Sequence, residues 1–399
     1  MGVYEDLGLQ PIINASAAVT RLGGAPMPDA VLDAFRNAAR ASVPLELLQA
    51  AASKKIAAVT GQEAGLVTAG CAAALTLGAA AILARNDLAR MEKIPHTEGF
   101  PNEFVIAREQ RSGYDHAVRA SGARLVEVGF NEIVANAGVR RTEAWEYEAA
   151  FNDNTAGVVY VFGPTSRPPL GEVVTRARTH NLPVLVDAAA EVPPRSNFQV
   201  LVDSGADLVT FSGGKSIRGP QSTGILAGRR ELVQAAALQM LDMDDHLELW
   251  DPPPELIDRS QLQGIPRHGF GRPLKVSKEE IVALLTALDL FASGAYDADV
   301  KVFRDYLESI SKTLQGTPTK CSIIDPGDGE TPPTLEIALD EAALGRSAFD
   351  VCRALRQGSP PVYVSHAKLP DGTLVVRPHC LRADDATALE RRLSEELRS

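Results

Sequence analysis

Two ionisable residues stand at the ends of apolar stretches that have the character of buried strands. Asp187 closes the stretch "LPVLVD", and Lys215 follows "ADLVTFS" after two glycines. A charged group in such a place is costly unless an opposite charge or a proton meets it. Lys215 follows Asp187 by 28 positions, which leaves room for one helix and one strand, so the two strands can be neighbours. Because open α/β sheets bind ligands at the carboxyl ends of their strands, we expect the carboxylate and the amine at one binding edge.

A third feature is the helix start in "LVTAGCAAAL". A strand-like run ends in a turn at Gly70, and a helix begins at Cys71 and Ala72. The first backbone N–H groups of a helix have no partner inside it and can bind an anion. Small residues in front of an alanine-rich helix also suit tight packing alone, and the sequence leaves both interpretations open.

An amine, a carboxylate and an anion site at one sheet edge together suit the cofactor pyridoxal 5′-phosphate. The Lys215 amine can form a Schiff base with its aldehyde, and Asp187 can keep its pyridine nitrogen protonated. The helix start and Ser212 would hold the phosphate, and the glycines before Lys215 allow close approach to a flat ring. The alternatives are a lysine in a surface turn and an aspartate that caps a helix. The prolines in "AAAEVPP" make a long helix after Asp187 unfavourable.

The lysine segment carries a family resemblance. "FSGGKSIRGPQSTGIL" resembles the segment "SGxKxxxGPQxG" of selenocysteine synthase and its relatives, which belong to the aspartate aminotransferase (fold type I) superfamily. "VDAAAEVPP", "INASAAVTRLGGAPMP" and "GRPLKVSKEEIVALL" resemble segments of the subgroup that includes D-glucosaminate-6-phosphate ammonia-lyase. The resemblance runs from about residue 8 to 290 and is specific for cofactor and fold, and much less so for substrate.

The resemblance implies roles for individual residues around the cofactor. Lys215 is the Schiff-base lysine and Asp187 the partner of the pyridinium nitrogen. The implied phosphate contacts are Gly70, Cys71, Ala72 and Ser212. His116 falls where many members place a ring over the cofactor, although a histidine packed in a helix is the equal alternative. Arg272 is a candidate phosphate contact across a subunit boundary, with a solvated loop arginine as its alternative.

The substrate's carboxylate calls for an arginine, because a guanidinium pairs with a carboxylate through two parallel hydrogen bonds. Arg377 in "TLVVRPHCL" is the first candidate, and Arg21 and Arg218 are the others. By resemblance, the expected reaction is β-elimination from a hydroxylated amino acid, which gives a 2-oxo acid and ammonia. Racemisation, aldol cleavage or group transfer on the same scaffold are alternatives, as is an inactive protein that serves as a binding subunit. Selenium transfer is disfavoured, because the acidic chain suits tRNA badly and its N-terminus is short for a tRNA-binding extension.

The elements that must position these residues follow from alternating patterns. Apolar strands separated by helices predict an α/β domain with a mostly parallel, seven-stranded-type sheet covered by helices, as in fold type I. The segment "WDPPPELIDRSQLQGIPRHGFGRP" is too rich in proline and glycine for an element. Short strands and helices after it predict a smaller α+β domain. The expected divisions are an N-terminal arm and helix (1–50), a large domain (51–270), and connecting helices with the small domain (271–399).

Composition narrows the class of partner. The formal net charge is −11 and no basic tract stands out, which argues against a nucleic-acid partner. The four cysteines lack the CxxC spacing and the seven histidines lack metal-ligand spacing, so no metal is expected. No apolar stretch reaches the length of a membrane span and no secretory signal is evident. We expect a cytoplasmic homodimer or larger homo-oligomer that acts on a small amino-acid substrate.

Overall fold

The computed structural model describes residues 2–130 and 140–398, which divide into two compact units. The larger unit is Met27–Ala292, and the smaller combines Met1–Pro26 with Ser293–Ser399. These bounds differ from the expected divisions at 50 and 270. The reason is that the first long helix packs against the helix after the proline-rich segment, so both belong to the larger unit.

The strands alternate with helices along most of the chain. In chain order the strands are β1 (Ile13–Ala15), β2 (Ala64–Thr68), β3 (Glu103–Ala107), β4 (Arg124–Val128), β5 (Thr155–Val161), β6 (Val184–Asp187), β7 (Leu208–Ser212), β8 (Gly224–Gly228), β9 (Thr319–Ile324), β10 (Thr334–Leu339), β11 (Val362–Val364) and β12 (Thr373–Val376). The α-helices are α1 (Asp29–Ala39), α2 (Leu45–Thr60), α3 (Cys71–Ala84), α4 (Leu88–Lys93), α5 (Asp115–Ala120), α6 (Ala144–Ala149), α7 (Leu170–Thr179), α8 (Ser196–Ser204), α9 (Arg230–Gln239), α10 (Lys278–Ala292), α11 (Asp297–Thr313), α12 (Glu341–Leu344), α13 (Ala348–Gln357) and α14 (Ala383–Leu397).

The larger unit is built on a seven-stranded sheet with the order β2-β8-β7-β6-β5-β3-β4. Neighbouring strands pair in parallel except at β8, which is antiparallel to both β2 and β7. Strands β2, β3 and β8 are buried along their whole length, as continuous apolar runs require. Helix α3 is buried from its third residue onward, so its apolar character all round is that of a core helix. This confirms the predicted α/β fold with a mostly parallel sheet.

The smaller unit contains two short sheets. Strands β12, β10 and β9 form an antiparallel sheet, and β1 pairs in parallel with β11. Its core includes Leu307, Leu335, Val351 and Leu374. This confirms the expected smaller α+β domain and adds β1 and β9, which the sequence patterns did not indicate.

Within residues 2–130 and 140–398, no single helix combines the length and apolar character needed to cross a bilayer. Helices α10 and α11 reach that length and apolar character only when taken together, and the pair is bent.

Candidate active site

The two ionisable residues come from neighbouring strands, as the spacing predicts. Asp187 is the last residue of β6, and it lies opposite Thr210 of the parallel strand β7. Lys215 follows the end of β7 by three residues and is half-buried in a turn. The carboxyl ends of β6 and β7 therefore deliver a carboxylate and an amine to the same edge of the sheet.

Burial dominates the electrostatics of Asp187. Loss of solvent raises the pKa of its carboxyl group above the ordinary value. A hydrogen bond of 3.0 Å from the backbone N–H of Ala189 and the positive charge of Lys215 act in the opposite direction, without overcoming burial. A proton or a further cation placed against the Asp187 carboxylate would therefore stabilise it.

The turn that presents Lys215 depends on glycine. The N–H of Gly213 donates to the carbonyl of Thr223 at 2.9 Å, and the N–H of Gly219 returns to the carbonyl of Gly213 at 2.8 Å. A Cβ atom on Gly214 would lie 2.3 Å from the Cα of Gln221, which is backbone and cannot move aside cheaply. The glycines thus fold the chain tightly back on itself and leave the lysine side chain at the sheet edge.

The helix start lies beside this edge, one strand away from β7. Strand β8 separates Thr68 of β2 from Ser212 of β7, and its residue Gly224 pairs with both. A Cβ atom on Gly224 would lie 2.4 Å from the carbonyl carbon of Gly70 and 2.5 Å from the amide nitrogen of Cys71. The first peptide of α3 is therefore seated directly on a glycine, and its unpaired N–H groups lie close to the strand that leads to Lys215.

We expect Gly224→Ala to displace the start of α3. The added methyl group would have to push the backbone of Gly70 and Cys71 away, and such overpacking costs about 1–3 kcal/mol of stability. Cofactor affinity, measured by absorbance titration of the cofactor-free protein, should fall about tenfold or more if the displaced amides form the anion site, as we predict. Gly171→Ala is the control, since a Cβ atom there meets no atom within 4 Å. Unchanged affinity in Gly224→Ala would contradict the placement of the anion site.

Cys71 is held as a neutral thiol. Its Sγ donates to the hydroxyl oxygen of Thr210 at 3.3 Å. Burial, and then the negative charge of Asp187, raise its pKa to about 12, although Thr210 and Lys215 act in the lowering direction. A thiol with such a pKa is a poor nucleophile at neutral pH.

The neutral state of Cys71 predicts slow alkylation. Raising the pKa from 9.0 to about 12 lowers the thiolate fraction about a thousandfold at pH 8, and the higher nucleophilicity of a basic thiolate recovers part of that. Iodoacetamide should label Cys71 of the folded, cofactor-free protein at least about thirtyfold more slowly than in urea, as measured by peptide mass spectrometry. Equal rates in both states would show that desolvation does not suppress ionisation of this thiol.

Glu191 is a residue that the sequence reasoning missed. Burial raises the pKa of its carboxyl group, the positive charge of Lys215 lowers it, and the negative charge of Asp187 raises it. It is therefore a second carboxylate in the electrostatic environment of the lysine. Its position four residues after Asp187, in "VDAAAEVPP", was the available signal.

His116 lies on α5, which packs against α3. The hydroxyl of Thr76 on α3 donates to the carbonyl of Ala117 at 2.7 Å. The His116 side chain is exposed, and a guanidinium nitrogen of Arg119 lies 3.0 Å from its Nδ1. The structure thus places the ring at the surface of a helix beside α3, and its contact with the cofactor stays a prediction.

The four candidate arginines lie in three places. Arg218 shares the lysine turn, where its N–H donates to the carbonyl of Lys215 at 3.0 Å and its φ is +61°. The Nε of Arg272 forms an ion pair of 2.6 Å with Asp242, and both line a cavity of about 690 Å³ in the larger unit that Lys215 does not line. Arg377 and Arg21 are exposed residues of the smaller unit. The roles of all four remain predictions.

Comparison with known proteins identifies the family. The family model described as L-seryl-tRNA selenium transferase matches residues 12–244, more than half of the chain. The chain belongs to this family. It is 32% identical to a 5′-C-glycyluridine monooxygenase-decarboxylase of a Streptomyces species, over 99% of this chain and 92% of the relative. It is 27% identical to D-glucosaminate-6-phosphate ammonia lyase of Salmonella typhimurium, over 98% and 97%.

Solved structures agree with the family. The structure of D-glucosaminate-6-phosphate ammonia-lyase superposes with a TM-score of 0.79 and 26% identity, covering 100% of this chain and 98% of that one. Aspartate aminotransferase from Thermus thermophilus, at 15% identity with a TM-score of 0.50 over 98% and 93%, shares the fold alone. The predicted family, the fold type I architecture and the cofactor, pyridoxal 5′-phosphate, are thereby confirmed.

The described residues fit this cofactor. A half-buried carboxylate with a raised pKa suits the pyridine nitrogen, and the half-buried amine of Lys215 suits the aldehyde. The start of α3, seated on Gly224, leaves N–H groups for the phosphate. All three features surround one edge of one sheet.

Proposed function

We propose that the protein is a pyridoxal-phosphate-dependent lyase that converts a hydroxylated amino acid to a 2-oxo acid and ammonia. The observation that carries the proposal is the likeness to an ammonia-lyase over nearly the whole length of both chains, with a TM-score of 0.79. The opposed charges of Asp187 and Lys215 at the ends of neighbouring strands support it.

Each site residue has a part in holding the cofactor. When bound, pyridoxal phosphate supplies an aldehyde that condenses with amines and a ring that accepts electrons. Asp187 would face the ring nitrogen and keep it protonated, and the raised pKa of the carboxyl group favours sharing that proton. The helix start at Gly70, Cys71 and Ala72, with Ser212, would bind the phosphate.

Lys215 would move the protons of the reaction. Its Nζ accepts the proton that leaves the α-carbon of the substrate, and the β-hydroxyl group departs as water. A water molecule then returns in hydrolysis, so the net reaction consumes no oxidant and yields one 2-oxo acid and one ammonium ion. Glu191, a carboxylate within the electrostatic reach of Lys215, is a candidate to receive or return a proton beside the lysine.

The test is a product assay with D-glucosaminate 6-phosphate and a series of 3-hydroxy amino acids of both configurations, under nitrogen. Equal amounts of 2-oxo acid and ammonia from any of them would support the lyase. Exchange of enantiomers without 2-oxo acid would replace it by a racemase. In a racemase His116 would be the further proton donor, because the pKa of the Cys71 thiol, raised to about 12, disfavours proton exchange there.

A second candidate is oxidative decarboxylation. The relative that shares 32% identity with this chain is named a monooxygenase-decarboxylase, and the likeness spans 92% of that relative. Such a reaction needs dioxygen and releases carbon dioxide, so the two candidates differ in a measurable way. Substrate-dependent oxygen uptake with release of carbon dioxide, and no turnover under nitrogen, would decide for this second candidate.

We also propose that the substrate carboxylate binds Arg377, with Arg21 and Arg218 as the other candidates. Arg272 would bind a phosphate across a subunit boundary.

A contact across a subunit boundary requires a homo-oligomer, and we propose that this homo-oligomer is cytoplasmic. Exposed apolar side chains near the N-terminus, including Val3, Leu7 and Leu9, are suited to burial against a second copy. Sedimentation velocity of the holoenzyme tests the assembly, and a monomer at assay concentration would overturn it.

A further inference from the structure

A second cavity, of about 350 Å³, lies within the smaller unit and has a cationic lining. Its volume is at the lower end of the range for small-molecule sites. Its lining combines three arginines and a histidine with apolar side chains, and includes Arg21, Arg353, Arg356, His366, Cys352 and Leu369. No aspartate or glutamate among the described residues lines it, although acidic residues outnumber basic ones by 51 to 40 in the chain.

Two of the guanidinium groups rest on one aromatic ring. The guanidinium carbon of Arg21 lies 5.7 Å from the centroid of the Tyr363 ring, and that of Arg356 lies 5.1 Å from it. Cation–π contacts of this kind hold a cation in place without neutralising it. Tyr363 belongs to β11 and pairs with Asn14 of β1, so the sheet fixes the arm that carries Arg21 beside the helix that carries Arg356.

The charges of this cavity are only partly balanced. The Nε atom of Arg356 is buried and has no hydrogen-bond partner among the described residues. Arg353 forms an ion pair of 2.9 Å with Asp350, which is exposed to solvent. Three guanidinium charges against this one carboxylate leave an excess of two positive charges.

We propose that this cavity binds a phosphate group. The planar guanidinium fork matches the oxygens of phosphate through two parallel hydrogen bonds, and a dianion balances the excess charge. The buried Nε of Arg356 would gain the acceptor that it lacks. On this assignment Arg21 binds a phosphate and leaves the substrate carboxylate to another arginine.

The direct test is calorimetric titration of the full-length holoenzyme with inorganic phosphate in a buffer free of other oxyanions. The cofactor already occupies its own phosphate site in the holoenzyme, so that site does not contribute. We expect one phosphate per chain, and binding about tenfold or more weaker in Arg356→Met and in Arg21→Met. Arg391→Met is the matched control, since Arg391 is exposed and paired with Glu395 on α14.

The Arg21→Met variant makes misfolding an improbable cause of weakened binding, because Arg21 is exposed to solvent. The visible absorption band of the bound cofactor should be unchanged in all variants. Absence of phosphate binding in the wild type, or equal binding in the wild type and both variants, would overturn the proposal. Either result would leave the proposed lyase activity intact.

The source of the phosphate is decided by kinetics, and this arm alone rests on the proposed lyase activity. If the cavity binds a phosphorylated substrate, Arg356→Met raises KM for D-glucosaminate 6-phosphate at least about tenfold and leaves KM for its unphosphorylated counterpart unchanged. If the ligand is a free phosphate, both KM values are unchanged while the titration is weakened. Both results support a phosphate site and identify its occupant.

Discussion

Lys215→Ala is expected to abolish turnover and the visible absorption band of the bound cofactor together. On the proposed mechanism the amine is both the attachment point for the aldehyde and the base for the α-proton. General-base catalysis alone contributes about 10²–10⁴-fold, so kcat should fall by at least about 10⁴-fold when both roles are lost. Measurements of product formation and of the absorption spectrum after gel filtration with excess cofactor test this. Because the Lys215 charge lowers the pKa of Asp187, its removal should also raise the pKa of that carboxyl group further.

Lys54→Ala is the matched control for a lost lysine. Lys54 is exposed on α2 and pairs with Glu255, so its loss should leave the band and kcat unchanged. Adding a small primary amine such as methylamine should restore part of the activity of Lys215→Ala, which a merely misfolded protein would not show. A Lys215→Ala variant with the wild-type spectrum and rate would remove the lysine from the chemistry.

The positions of Asp187 and Lys215 at one edge of the sheet could be predicted because several local sequence signals agree there. Apolar runs mark β6 and β7, and the interval from Asp187 to Lys215 fits one helix, α8, between two adjacent parallel strands. The glycines before the lysine have a steric reason that the structure makes explicit at Gly214. Local pattern and tertiary position agree here, as expected of a site built on rigid elements.

Other features depend on pairing between distant segments, which no local pattern encodes. Strand β1 has three residues and exists because it pairs with β11, nearly 350 residues later. Glu191 has no strand end to mark it, and its electrostatic interaction with Lys215 is apparent only in the folded chain. The basic cavity assembles Arg21 of the N-terminal arm with residues of α13. Each of these features is determined by tertiary contacts, which the periodicity of the sequence alone does not predict.

Asp187→Asn is expected to lower activity about 10²–10³-fold. On the proposed mechanism the carboxylate pairs with the protonated ring nitrogen, which an amide cannot do by charge, and removing one member of a desolvated ionic pair costs about 3–5 kcal/mol. If most of that cost falls on the rate-limiting barrier, each 1.36 kcal/mol is a factor of ten in rate. Steady-state kinetics with saturating cofactor measures the loss. Asp289→Asn, at an exposed carboxylate paired with Lys55, should have no such effect.

The same substitution should stabilise the cofactor-free protein at neutral pH. Burial raises the folded-state pKa of Asp187 above its unfolded value, so its contribution to stability is greatest in acid and is lost as the pH rises through the folded-state pKa. Asparagine carries no charge and keeps an oxygen for the N–H of Ala189, so the gain in melting temperature should grow from pH 4 to pH 8. With the cofactor present, the wild-type protein should have the higher melting temperature of the two, because its carboxylate would then contact the protonated ring. A gain in melting temperature that does not depend on pH would show that desolvation of the charged Asp187 carboxylate does not destabilise the cofactor-free protein.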